Sequence, residues 1–209
     1  MPRVLEKVER RLGEKLLLKG SRCVGPKCAS VRRAYPPGAH GKKRRGRKRG
    51  ASEFGTLLAE KQKVRYLYGL DDGELERYSK KAASMPGVFS SNFLQLLETR
   101  LDNALFRLGF TESRRIARQV VSHGHVTVNG KTVNIPSYRV RKGEVISLKE
   151  KIISSPLFSE LETRIKNYEP PQWLTLDRAK KSGEIVKMPE VEDAAVTVDV
   201  TKVKEFYSR

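Results

Sequence analysis

The sequence predicts an α+β protein: an extended basic N-terminal segment, a helical first domain, and a small α/β module in which two helices pack on a short twisted antiparallel sheet. Three observations predict it. Apolar residues recur at three- and four-residue steps from Phe93 to Leu108 and again from Ile116 to Val121, which is the helical period. After Gly124 the period drops to two, and Asn129-Gly130 supplies the dipeptide that suits both positive φ angles of a type I′ hairpin turn. Residues 15–52 hold 13 Lys and Arg and no Asp or Glu.

A chain of 209 residues is long enough to bury a core in one or two domains. Its formal charge is +19, of which residues 15–52 carry +13 and the other 171 residues +6. Such an excess points to a polyanionic partner, nucleic acid first. An anionic membrane is the competing partner. There is no long apolar run, no basic helix with Trp and Phe along one face and no lipidation signature to favour it. Met1-Pro2-Arg3-Val4-Leu5-Glu6-Lys7 lacks an apolar signal core, so the protein is expected to stay in the compartment where it is made. Two cysteines make no disulfide scaffold.

Residues 1–51 form the basic segment. The run Lys42-Lys43-Arg44-Arg45-Gly46-Arg47-Lys48-Arg49 repels itself and orders only against phosphates. A localisation signal or unspecific tail is the alternative reading. Just before it, Tyr35-Pro36-Pro37-Gly38-Ala39-His40-Gly41 joins two fixed φ angles to two permissive glycines, a path built to hold one shape. Arg22, Arg32, Arg33, Tyr35 and His40 are therefore candidate contacts along with Lys42, Lys43, Arg44, Arg45, Arg47, Lys48 and Arg49. Cys23-Val24-Gly25-Pro26-Lys27-Cys28 is half of a zinc site, since a tetrahedral site needs two more ligands. A pair of free thiols is the default expectation, and no cofactor is expected.

Residues 52–90 and 153–209 are assigned to the helical domain. Ser52 caps a helix through Phe54, Leu57, Leu58, Val64 and Leu67 that Gly69 ends. Lys61 and Arg65 lie at i, i+4 and can bridge adjacent phosphates, with Lys63 beside them; a solvated helix face is the plain alternative. Asp71 or Asp72 caps a second helix with Leu75, Tyr78 and Ala82, and Met85-Pro86-Gly87 breaks it. Beyond the module, Ser155-Pro156 starts a helix whose buried stripe is Leu157, Leu161, Ile165 and Tyr168. Trp173–Leu176 and Gly183–Met188 read as short strands or extended arms, and 196–200 alternates weakly.

Residues 91–152 are the module. One amphipathic helix runs from Phe93 to Leu108 and stops at Gly109. Thr111 or Ser113 caps the next, and at about 100° per residue Arg114, Arg118, Ser122, Arg115 and Gln119 share an arc of roughly 140°. Ile116, Ala117, Val120 and Val121 fill the opposite arc, so the three guanidiniums are expected to face outward together. In the hairpin, Val126, Val128 and Val133 share a face with Lys131. Tyr138-Arg139-Val140-Arg141 alternates up to the Lys142-Gly143 turn, and Val145–Leu148 is a further strand. Arg100, His123, His125, Asn129, Lys131, Tyr138 and Arg139 complete the candidate contacts. His123-Gly124-His125 lacks neighbouring donors for a metal shell, and Asp102 is read as anchoring its helix. No Gly-x-Gly-x-x-Gly, Walker loop, His-Glu-x-x-His or Gly-x-Ser-x-Gly occurs, and the chain is read as a non-enzyme.

Arg100-Leu101-Asp102-Asn103, Ser113-Arg114-Arg115, Ala117-Arg118-Gln119, His123-Gly124-His125, Val128-Asn129-Gly130 and Pro136-Ser137-Tyr138 together resemble the RNA-binding domain of the ribosomal protein S-four family. Pseudouridine synthases, tyrosyl-tRNA synthetases and a heat-shock RNA binder carry the same domain, so a free RNA-binding or RNA-modifying protein is the alternative. The resemblance extends to Tyr35–Gly41, to Glu60–Gly69 and to the end at Phe206-Tyr207-Ser208-Arg209, almost all of the chain from Lys19. It implies that the module is inserted in the helical domain, whose C-terminal part returns onto residues 52–84. It also implies a cytoplasmic (or organellar) ribosome, early binding to the 5′ domain of small-subunit ribosomal RNA, contact with ribosomal protein S-five, and a place near the messenger RNA entry channel that influences decoding accuracy. Zinc-binding members of the family add an upstream Cys-x-x-Cys to the later pair; by the family's spacing this chain has Glu6 and Glu9 there.

Overall fold

In the computed structural model, residues 5–41, 52–194 and 198–208 are described. They form two compact units, one holding the described residues through Ser79 with 198–208, the other running from Lys80 to 194. The protein is α+β. No helix among the described residues is long and apolar enough to cross a membrane.

In the first unit the basic segment contains helix α1 (Leu5–Leu12), a 3-10 turn at Gly20–Cys23 and a single-turn helix α2 (Ala29–Arg32). Helix α3 spans Glu53–Leu67, and the Ser52 hydroxyl accepts from the Gly55 amide as its cap. Gly69, at φ 65°, ends it, a conformation that costs glycine nothing. Helix α4 (Asp72–Ser84) starts with a reciprocal capping box: Asp71 Oδ1 accepts from Glu74 N at 2.6 Å and Glu74 Oε2 from Asp71 N at 3.1 Å. The last helix of the chain, which is α10 once those of the second unit are counted (Val200–Ser208), packs against α3, with Phe206 5.8 Å from Phe54. The alternation expected over 196–200 lies partly outside the described residues; its end opens this helix.

The second unit holds α5 (Phe89–Glu98), α6 (Leu101–Arg107), α7 (Arg114–Ser122), α8 (Glu150–Ile153) and α9 (Leu161–Lys166). The single helix expected from Phe93 to Leu108 is two. At the break, Thr99 O accepts from Val140 N at 2.9 Å and Leu101 N donates to Tyr138 O at 2.8 Å, so Arg100 bridges Arg139 as a strand would. The apolar period is kept on both sides of the break: Leu97 is fully buried before it, and Leu101, Ala104, Leu105 and Leu108 enter one core after it. Tyr138–Arg141 contributes that bridge and no longer strand.

The sheet is antiparallel throughout, with strand order β2-β1-β3-β5-β4 among the described residues: β1 Val126–Val128, β2 Lys131–Thr132, β3 Val145–Leu148, β4 Leu174–Asp177 and β5 Ser182–Ile185. Here the structure departs from the expected boundary at residue 152. β5 pairs with β3, Ile146 opposite Gly183, and Phe158, Leu161, Ile165 and Trp173 enter the same core as Leu101 and Val126. Residues 153–194 thus fold with the module, because their apolar side chains complete its core. Of the stripe expected after Pro156, Leu161 and Ile165 are buried, and Phe158 takes the place of Leu157, which is 46% exposed.

Gly183 allows Leu108 to lie on the sheet, where a Cβ would collide with the Leu108 side chain. Gly183→Ala is expected to destabilise the second unit by about 1–3 kcal/mol, read from its thermal midpoint. In the first unit, burial aided by Asp72 and Glu76 and opposed by Arg65 pushes the Tyr207 phenol up to about 12. The neutral phenol is the folded form, so its contribution is intact below the ordinary value of 10.0 and is lost as pH rises towards about 12. Its hydroxyl has no hydrogen-bond partner among the described residues. Tyr207→Phe should therefore match the parent near neutral pH, within about 0.5 kcal/mol, and lose less stability than the parent in the alkaline window.

Candidate nucleic-acid interface

Helix α7 carries the centre of the candidate surface. Ser113 caps it through Ile116 N at 3.4 Å, and Ala117, Val120 and Val121 fix its apolar face in the core. Arg115, Gln119 and Ser122 are exposed on the other side, and Arg118 is half-exposed. Arg114 differs from the expectation that all three guanidiniums face outward. It is half-buried, stacked 4.5 Å over the Phe106 ring, and its Nε donates to Asn103 Oδ1 at 2.7 Å. Gly124, at φ 69°, closes the helix, leaving His123 exposed and His125 half-buried with ring centroids 6.1 Å apart. At the hairpin tip Lys131 is exposed, whereas Asn129 serves the turn: its φ is 49° and its Oδ1 accepts from Val145 N at 2.9 Å.

The Arg-Leu-Asp-Asn motif is interior. Arg100 is 0% exposed and forms a two-point pair with Asp102, Nε to Oδ1 at 3.0 Å and Nη2 to Oδ2 at 2.7 Å. That corrects its placement among the contacts, since a guanidinium sealed in the core presents nothing to a polyanion. Arg139 backs it as its bridge partner and is half-buried. Tyr138 donates its hydroxyl to Glu144 Oε1 at 2.8 Å; that bond, then burial, raises the phenol above its ordinary value. Next to this latch lies a network that sequence reading missed. Glu98, 0% exposed, accepts from Asn103 Nδ2 at 2.7 Å and from Arg107 through Nε at 2.9 Å and Nη2 at 2.8 Å. Asn103 passes the chain on to Arg114. Only three-dimensional proximity joins these residues, whose spacing alone reads as helix surface.

In the first unit Arg32, Arg33 and His40 are exposed, and so is Arg22, whose Nε lies 3.2 Å from Glu6. Tyr35 is half-buried under Arg10, which stacks at 5.0 Å and donates Nε to Arg33 O and Tyr35 O. Lys7, Arg10, Arg22, Lys27, Arg32 and Arg33 line a cavity of about 270 Å³, and the first, second and fourth were not anticipated. Their signal was weak: Lys7 and Arg10 are one turn apart on an unforeseen helix.

The pair Lys61 and Arg65 is not poised for phosphates. Lys61 is 7% exposed and clamped to Asp72, and Arg65 Nη1 reaches the same carboxylate at 2.9 Å. Lys63 is 6% exposed between Glu14 at 2.6 Å and Glu60 at 2.8 Å. Burial pulls its ammonium down, but those two carboxylates outweigh it and raise it above the ordinary value. Lys42, Lys43, Arg44, Arg45, Arg47, Lys48 and Arg49 lie outside the described residues.

Cys23 and Cys28 are free thiols, 1% and 0% exposed, and burial pushes the Cys23 thiol above its ordinary value. A zinc ion does not fit here as the side chains stand. Among the described residues no group of three or more His, Cys, Asp or Glu could hold a metal, and Glu6 and Glu9 are turned to other partners.

Breaking the buried pair tests this assignment. Asp102→Asn removes the negative charge that faces the buried Arg100, and is expected to cost about 3–5 kcal/mol in chemical denaturation.

Comparison with known proteins identifies the family. The family described as "Ribosomal protein S4/S9 N-terminal domain" matches residues 5–98, and "S4 domain" matches residues 99–146. The chain is 48% identical over 200 residues to the "Small ribosomal subunit protein uS4" of Halothermothrix orenii, covering 96% of this chain and 94% of that one. The proteins of the same name from Heliobacterium modesticaldum and Thermus thermophilus are 49% and 47% identical over the same shares. With domain matches running unbroken from residue 5 to 146 and identity near one half over almost the whole length, the chain belongs to the ribosomal protein S4 family.

Proposed function

We propose that this protein is a structural component of the small ribosomal subunit that binds the subunit's RNA directly and catalyses nothing. The observation that carries the reading is the outward face of α7 with its following corner: Arg115, Arg118, His123 and Lys131 stand on a capped, core-anchored helix and hairpin, with no acidic residue between Ser113 and Gly143. The cavity beside α1, lined by six cations and by Glu6, offers a second anchoring point. A-form RNA hides its base edges in a deep major groove, so fixed cations read phosphates, 2′-hydroxyls and the geometry of a junction. The recognition surface in this reading lies within residues 91–152, on a core that residues 153–194 complete, and the family match over residues 5–98 argues against a free RNA-modifying protein that merely borrowed it.

The finer reading rests on the family. The protein binds early to the 5′ domain of small-subunit ribosomal RNA, touches ribosomal protein S-five, and lies near the messenger RNA entry channel, where it affects decoding accuracy. The ribosome, not a membrane, is its place. Footprinting on naked small-subunit RNA tests the first of these, with protection clustered at one junction as the expected result.

Arg115→Gln with Arg118→Gln is expected to leave the thermal midpoint nearly unchanged, weaken RNA binding roughly tenfold or more, and lower the salt slope of binding by about 2. Equal affinity for the subunit RNA and an arbitrary RNA of the same length would overturn the proposal.

A further inference from the structure

The two glutamates that stand where zinc-binding relatives carry cysteines are not idle. Glu9 is 1% exposed, and its Oε1 accepts from the amides of Leu16 at 3.1 Å and Leu18 at 3.2 Å, while Oε2 lies 3.5 Å from Ser30 Oγ. One carboxylate therefore gathers three separate stretches: α1, the loop at residues 16–18, and α2. The loop needs holding, because Leu17 sits at φ 54°, a left-handed conformation that a branched side chain rarely adopts. Two amides of one short loop converging on one carboxylate oxygen resemble a nest, the device by which backbone N–H groups bind anions. Glu6 has its own partners, with Lys19 Nζ at 3.3 Å and Arg22 Nε at 3.2 Å. Cys23 accepts from Lys19 N at 3.3 Å, and both thiols fill the interior as small apolar groups.

The basic segment is part of a larger compact unit, but its own apolar cluster is small. Its cluster is Leu5, Leu16 and Leu18 with Leu12 and Tyr66 at the margin. Chains below about 40 residues usually need a staple, such as a metal or a disulfide. We propose that Glu9 is that staple: its carboxylate takes the tying role that zinc plays in zinc-binding members, so the N-terminal segment of this protein keeps its shape without metal. The claim is independent of what the protein binds.

Hydrogen exchange on the full chain tests it. The Leu16 and Leu18 amides of the parent are expected to exchange at the same rate with a chelator or with equimolar zinc, and about tenfold or more faster in Glu9→Ala. If Glu9→Ala unfolds the segment outright, a second variant decides: Glu6→Cys with Glu9→Cys is expected to lose protection as purified and to recover it on taking up one zinc per chain. Three results would overturn the proposal. They are a parent chain that binds one zinc and thereby slows those amides about tenfold, unchanged exchange in Glu9→Ala, or a double-cysteine variant that takes up no zinc.

Discussion

Glu98 is a carboxylate with no solvent contact, and its charge has to be answered inside the protein. Removing an ion from water costs several kcal/mol that only close, well-directed partners offset. Here the answer is Arg107 on one side and Asn103 on the other, with Asn103 Nδ2 also bonding the Glu98 carbonyl at 2.9 Å. That demand shapes the module. For Asn103 to face back to Glu98, the helix must stop at residue 98 and start again at residue 101. The break frees Thr99 O and Leu101 N for Tyr138 and Val140, which ties the end of the hairpin region to the helices. Arg107 also reaches the Ala194 carbonyl, so the same charge network holds the far end of this unit.

Arg114 is the last link. It belongs to the cationic arc by sequence and to the network by contact, and the second role decides its orientation. What remains outward on α7 is a smaller set of cations on a helix that cannot rotate. Rigidity matters more than number here, because a loose polycation meets any phosphate chain equally, whereas fixed charges select a particular spacing of phosphates.

The first unit repeats the theme with other residues. Asp72 clamps Lys61 and Arg65, Glu14 and Glu60 hold Lys63, and Glu9 binds backbone amides. Several acids of this strongly basic chain are thus committed to cations and amides of the same unit, and the lysines and arginine that they hold are withdrawn from the candidate contact surface.

The sequence by itself determined what is local. Ser52 and Ser113 cap helices because a hydroxyl there meets an orphan amide, Asn129-Gly130 turns a hairpin because both residues accept positive φ, and the apolar periods place Leu105, Val120 and Val126 in a core. The family was legible as well, in short motifs that fall on these elements. Only the tertiary structure decided which charges face out. Arg100, Lys61 and Lys63 look like surface cations in a one-dimensional pattern, since helical spacing reports a face but not what covers it. Arg100 and Lys61 meet their carboxylates two and eleven residues away, and Lys63 meets one three residues away in Glu60 and another forty-nine away in Glu14. The joining of β5 to β3 and of Trp173 to the core of Leu101 was hidden for the same reason: pairing between distant segments depends on which apolar faces remain uncovered after local folding, a quantity no short window of sequence contains.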